Sequence, residues 1–120
     1  MNMKSKISIA AAILFFAPVA FACDYPNRAK IPDGATASTE QMLAGQKSVK
    51  EYMATMEVYL ACIDTEDKEA KESSDGTSDE ELARRKATTD KKHNAAVDEM
   101  EILAAQFNEE VRAYKAAQAD

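Results

Sequence analysis

The chain has 120 residues, with 21 acidic side chains against 15 basic ones and a net charge of −6. That balance argues against nucleic acid or an anionic lipid surface as the main partner, because both are held through a surplus of Lys and Arg. Two cysteines allow a single intramolecular pairing, and no second pair exists to build a zinc site.

Residues 1–22 read as a secretory signal peptide. Lys4 and Lys6 are followed by an apolar run from Ile7 to Phe16, a break at Pro18, and Ala20-Phe21-Ala22 directly before Cys23. A basic start, an apolar core of about 10 residues and small side chains at −3 and −1 are what export and cleavage require. A membrane span needs about 20 apolar residues, more than this segment offers, so no permanent span is expected. Lipoprotein anchoring at Cys23 fits less well, because such signals carry Leu near −3 and a small residue at −2, where this chain has Ala20 and the bulky Phe21. The predicted location is therefore exported, periplasmic or secreted. Every acidic residue lies after the signal while two lysines leave with it, so the exported protein is more acidic still.

Residues 23–37, CDYPNRAKIPDGATA, show no helical periodicity and carry two prolines and a Pro-Asp-Gly turn signal. They read as an extended strap with a bend at Pro32 to Gly34. No proline follows Gly34, and only two further glycines do, Gly45 and Gly76, which favours helix over residues 38–120.

Ser38 with Gln41 forms a capping box. Met42, Val49, Met56 and Ile63 then recur seven apart, with Tyr52, Met53, Tyr59 and Leu60 between them, in one wide apolar stripe. Lys47, Lys50, Glu51 and Glu57 fall on the solvated face. After Ile63 the sequence DTEDKEAKESSDGTSDEE is charged throughout, with Asp67 and Lys71 four apart and a turn signal near residues 73–78.

Ser78 with Glu81 suggests a second capping box. The helix it opens carries the stripe His93, Val97, Met100, Ala104, Phe107, Val111 and Tyr114, with Ala96 and Leu103 beside it. Folding at Gly76 sets the two apolar halves together and leaves two polar arms at the tip. The predicted fold is all-α: a long antiparallel helical hairpin of coiled-coil character, with an extended N-terminal strap tied by one disulfide.

Two helices cannot enclose a core by themselves. A helix from Cys62 back to Ser38 spans about 36 Å, and the strap can reach about 50 Å if extended. It can therefore run back along the first helix, bring Cys23 beside Cys62 and lay Tyr25, Pro26, Ile31 and Pro32 over the groove. In an oxidising compartment a Cys23–Cys62 disulfide is expected, contributing on the order of 3–4 kcal/mol by loop closure. The competing cover is a second copy, giving a homodimeric four-helix bundle.

No catalytic constellation is present. His93 is the one histidine, and the chain has no nucleophile elbow, HExxH or phosphate-binding glycine loop to partner it. Met42, Met53, Met56 and Met100 have the soft thioethers that suit Cu(I), yet each lies on a stripe that requires apolar side chains anyway. Asp64, Glu66 and Asp67, and Asp75, Asp79, Glu80 and Glu81, lack the EF-hand order of oxygen ligands. Those clusters, and Asp98, Glu99, Glu101, Glu109 and Glu110, read as solvated charge. No catalytic, cofactor-binding or metal-ligating residue is assigned.

The runs CDYPNRAKIPDGATAS, VKEYMATMEVYLACI and AAQFNEEVRAYK resemble a group of small secreted bacterial helical proteins of unknown function. These share a Cys-x-x-Pro opening, an Ile-Pro-Asp-Gly turn, a tyrosine-rich first helix bearing the second Cys, and a Phe-Asn-x-x-Val-Arg-x-Tyr close. The resemblance implies the hairpin and the disulfide and no activity. The expected function is a non-enzymatic interaction or structural module of the cell envelope. Its partner is an envelope protein, met through the strap with Tyr25, Tyr52 and Tyr59, and through the charged tip. The alternative is a periplasmic small-ligand or metal-binding protein using the Met-rich groove.

Overall fold

The computed structural model describes residues 23–73 and 75–119, so the signal-peptide expectation over residues 1–22 lies outside the described residues. Two helices, α1 (Thr39–Glu72) and α2 (Asp79–Gln118), form an antiparallel hairpin, and no strand occurs among the described residues. None of the described helices is long and apolar enough to cross a membrane.

Helix α1 starts where its chemistry directs. The Ser38 hydroxyl accepts from the Gln41 amide at 3.2 Å, and Gln41 Oε1 accepts from the Ser38 amide at 2.8 Å, so both halves of the capping box are made. At the head of α2 only one half forms. Ser78 Oγ accepts from the Glu81 amide, but the Glu81 carboxylate turns outward to Arg84 and Arg85, whose guanidinium groups outcompete a backbone N–H for it. The polar arm of α1 stays helical to Glu72, helped by Lys71 on Asp67 at 2.8 Å. Between the helices Gly76 has φ +85°, a backbone that L side chains rarely adopt and that permits the tight reversal.

The core is the α1 stripe. Met42, Val49, Tyr52, Met56, Tyr59 and Ile63 are buried, Met56 completely. On α2 the buried residues are Ala96 and Leu103, which flank the predicted stripe, while His93, Val97, Met100, Ala104, Phe107, Val111 and Tyr114 are half-buried. The line of closest approach is rotated because the strap occupies one groove of the hairpin and pulls α2 toward it. Glu99, Gln106 and Glu110, the α2 residues that hold the strap, lie to one side of the Ala96–Leu103 line. The half-buried apolar residues lie to the other.

The strap follows the predicted path. Cys23 is bonded to Cys62 with a Cα–Cα distance of 5.8 Å, within the ordinary range for a disulfide. Cys23, Ala29 and Ile31 pack against the core. At the other end Asp33 closes a turn, its carbonyl accepting from the amides of Thr36 and Ala37 and its carboxylate from Ala35. Here two glycines leave room for neighbours that a larger residue would displace. The Pro32 ring packs onto Gly45, where an added Cβ would stand 2.5 Å from Cδ of the proline. Gly34 is pressed against α2: its amide donates to Glu110 Oε2 at 2.6 Å, and a Cβ would lie 1.8 Å from the Glu110 carbonyl oxygen.

Because that clash is with helix backbone, Gly34→Ala should displace the bend and destabilise the protein by about 2 kcal/mol. Denaturant unfolding measures this directly. A change under about 0.5 kcal/mol would show that the strap does not sit this close to α2.

Candidate functional site: the disulfide and the tyrosine shelf

The strap lies over a shelf of aromatic rings on α1. Tyr52 and Tyr59 are one heptad apart, so both project from the same flank of the helix. Tyr25 meets Tyr59 edge to face, with ring centroids 5.0 Å apart and planes inclined at 75°, a favourable arrangement of the two quadrupoles. The three tyrosines assigned to one interaction surface are therefore divided. Tyr52 and Tyr59 are buried, whereas Tyr25 is 50 % exposed and presents its outer face to solvent. The division arises because the strap covers the α1 rings with its own apolar atoms and leaves Tyr25 as the roof.

Arg28 bridges from the strap to the other helix. Its Nε lies 3.1 Å from Glu99, and the guanidinium also donates to Gln106. Glu99 and Glu110, expected to be solvated charge, thus hold the strap at two points. The Thr39 and Tyr114 hydroxyls hydrogen-bond near the base of the hairpin, joining the start of α1 to the end of α2.

Under the strap the Tyr52 hydroxyl is buried close to that of Tyr25, but no hydrogen bond of good geometry joins them. Burial, aided by nearby Tyr25 and Glu99 and opposed by Arg28, pushes its phenol up to about 12. The neutral form is favoured in the folded protein, so this contribution to stability is complete below the usual phenol value of 10.0 and is lost as pH rises through about 12.

The disulfide takes up both thiols, leaving no free cysteine among the described residues. Both cysteines are half-buried, and a Glu66 carboxylate oxygen lies beside them, the three ligand atoms all within 4.8 Å of one another. On the outer side of α1 a shallow groove of about 370 Å³ runs past the disulfide, lined by Val58, Ala61, Cys62, Thr65, Glu66 and Glu69. Val58 is 69 % exposed there.

The remaining candidates disperse. His93 is half-buried and has no hydrogen bond or ion pair among the described residues. Met42 and Met56 are closed into the core, and Met53 and Met100 pack against it. At the tip, Glu66, Asp67 and Glu81 share an open cleft of about 530 Å³ with Arg84 and Arg85. Hydrogen bonding to Arg84, with Arg85 adding to it, holds the Glu81 carboxyl below its ordinary value. Asp64, Asp75, Asp79, Glu80, Asp98, Glu101 and Glu109 are exposed.

Sequence reasoning assigned no role to Arg28, Gln106 or Gly45, read Glu99 as solvated charge and took Gly34 only as part of a turn. One signal was present: Glu99, Gln106 and Glu110 recur at helical spacing on one flank of α2, opposite a strap with a single arginine. Compared with known proteins, the chain matches no family model, no curated protein and no solved structure.

Tyr52→Phe removes an unpartnered buried hydroxyl and should leave stability at neutral pH unchanged or raise it by up to about 1 kcal/mol. Between pH 9 and 11 the parent should lose about 1 kcal/mol more than the variant, read from denaturant midpoints. A large loss at neutral pH in Tyr52→Phe would mean that the hydroxyl has a partner.

Proposed function

We propose that the protein is a small exported module of the cell envelope that acts by protein contact and performs no chemistry of its own. The observation that supports this reading is the apolar surface around the disulfide. Tyr25, two residues from Cys23, and Val58, four residues before Cys62, stand half or more exposed on a rigid, covalently fixed frame. Val58 and Cys62 also line the groove that runs along α1 to Glu69. Rigid aromatic and aliphatic anchors lose little conformational freedom on binding, which is why such groups dominate protein interfaces. Export gives the disulfide its oxidising compartment. The partner is an envelope protein that brings a complementary apolar ridge into the groove.

A photo-crosslinking side chain at Val58 should capture a defined envelope protein in living cells. The same group at Lys47, on the polar face of α1, should not, and Tyr25→Ala should reduce capture at Val58 by about tenfold, the effect of losing one interface anchor. Equal labelling from both positions would contradict the assignment, and a product of twice the chain mass would identify the partner as a second copy.

A further inference from the structure

We propose that removal of residues 1–22 completes an ion pair at the disulfide: the α-ammonium released at Cys23 pairs with Glu66 and locks the start of the strap to α1. The proposal rests on the export reading, since it needs cleavage between Ala22 and Cys23.

Three observations carry it. The sulfur of Cys23 and a Glu66 carboxylate oxygen are within 4.8 Å of each other. Only three bonds separate that sulfur from the Cys23 nitrogen, which covalent geometry places about 3–4 Å from it. The proposed pairing requires the Glu66 side chain, with its three rotatable bonds, to turn toward that nitrogen. Glu66 itself is half-buried, with the apolar side chains of Val58 and Ala61 along its groove, and makes no ion pair among the described residues. Across the tip cleft that it shares with α2, the nearest cations, Arg84 and Arg85, are already engaged by Glu81.

Cleavage changes the chemistry at this point. While residues 1–22 are attached, the Cys23 nitrogen is a neutral amide with a single proton. Hydrolysis adds hydroxide to the Ala22 carbonyl carbon and a proton to the nitrogen. The amine then takes up a further proton below its ordinary value of about 8, becoming a cation with three donors. The disulfide already fixes Cys23 against α1, so only the Glu66 side chain is ordered and the pair bears less of the cost that makes free surface pairs weak. Signal removal and strap closure become one event: the precursor has a carboxylate with no cation, and the processed chain supplies it. Besides Glu66, Asp24 beside the new terminus and Glu69 one turn from Glu66 are exposed carboxylates that favour a cation, while on α2 Arg84 and Arg85 line the cleft that Glu66 shares and oppose it.

The test uses the full chain expressed with its own signal, and the exported product. Intact mass should show a chain starting at Cys23, unlipidated and two hydrogen atoms lighter than the dithiol. Acylation of its α-amine across pH, quantified by mass spectrometry, should run about tenfold slower at pH 7.5 than expected for an ordinary terminus, equivalent to a shift of one pK unit. Glu66→Gln should restore most of that reactivity, and Asp24→Asn should restore little. Ordinary reactivity in the parent, no effect of Glu66→Gln, or full recovery in Asp24→Asn would each overturn the pair while leaving the export reading intact. A product starting elsewhere than Cys23 would overturn the pair by refuting the cleavage on which it rests.

Discussion

A hairpin of two helices leaves a stripe of apolar side chains with no third wall, and the Cys23–Cys62 bond converts a segment with no regular structure into that wall. The bond closes a loop with a sequence separation of 39, which in the chain-entropy account contributes on the order of 3–4 kcal/mol. For a domain with so small a core that is a large share of its stability. The burial of Tyr52 and Tyr59, the rotation of α2 and the exposure of Tyr25 all follow from where this bond puts the strap.

The strap is held differently along its length. Its first residues are tied to α1 covalently and its middle to α2 through Arg28. Its bend is wedged between Pro32 on Gly45 and Gly34 on the Glu110 backbone. The wedge depends on shape, since neither glycine can gain a methyl group without moving its neighbour. The outer attachment depends on oxidation. One end is thus set by packing in any compartment, while the other is set by the redox state of the surroundings. The exposed apolar surface belongs to the second end, so its order depends on the disulfide.

Much of this was legible in the chain. Ser38 and Gln41 announce the start of α1, the heptad Met42, Val49, Met56 and Ile63 gives its inner face, and two cysteines at the two ends of a reachable path leave one pairing. What could not be read were the consequences of the third wall. Tyr52 and Tyr59 lie at the edge of the stripe, where periodicity assigns them equally to core or surface, and only the strap's position decides. Glu99 and Glu110 look like any solvated helix carboxylates until Arg28 and the Gly34 amide are brought to them across the groove. On α2 the stripe predicted the correct helix but the wrong centre, because two apolar flanks compete and the covered groove claims Ala96 and Leu103.

The central claim is that the disulfide holds the outer half of the strap and that packing holds the bend. Limited proteolysis of Cys62→Ser beside the parent tests it most directly. The account predicts that cleavage after Arg28 and Lys30 speeds up at least tenfold, while by amide hydrogen exchange Gly34, Thr36 and Ala37, whose N–H groups are hydrogen-bonded, and the inner turns of α1 and α2 keep most of their protection. Unchanged cleavage at Arg28 and Lys30, or two free thiols in the native parent chain, would contradict it.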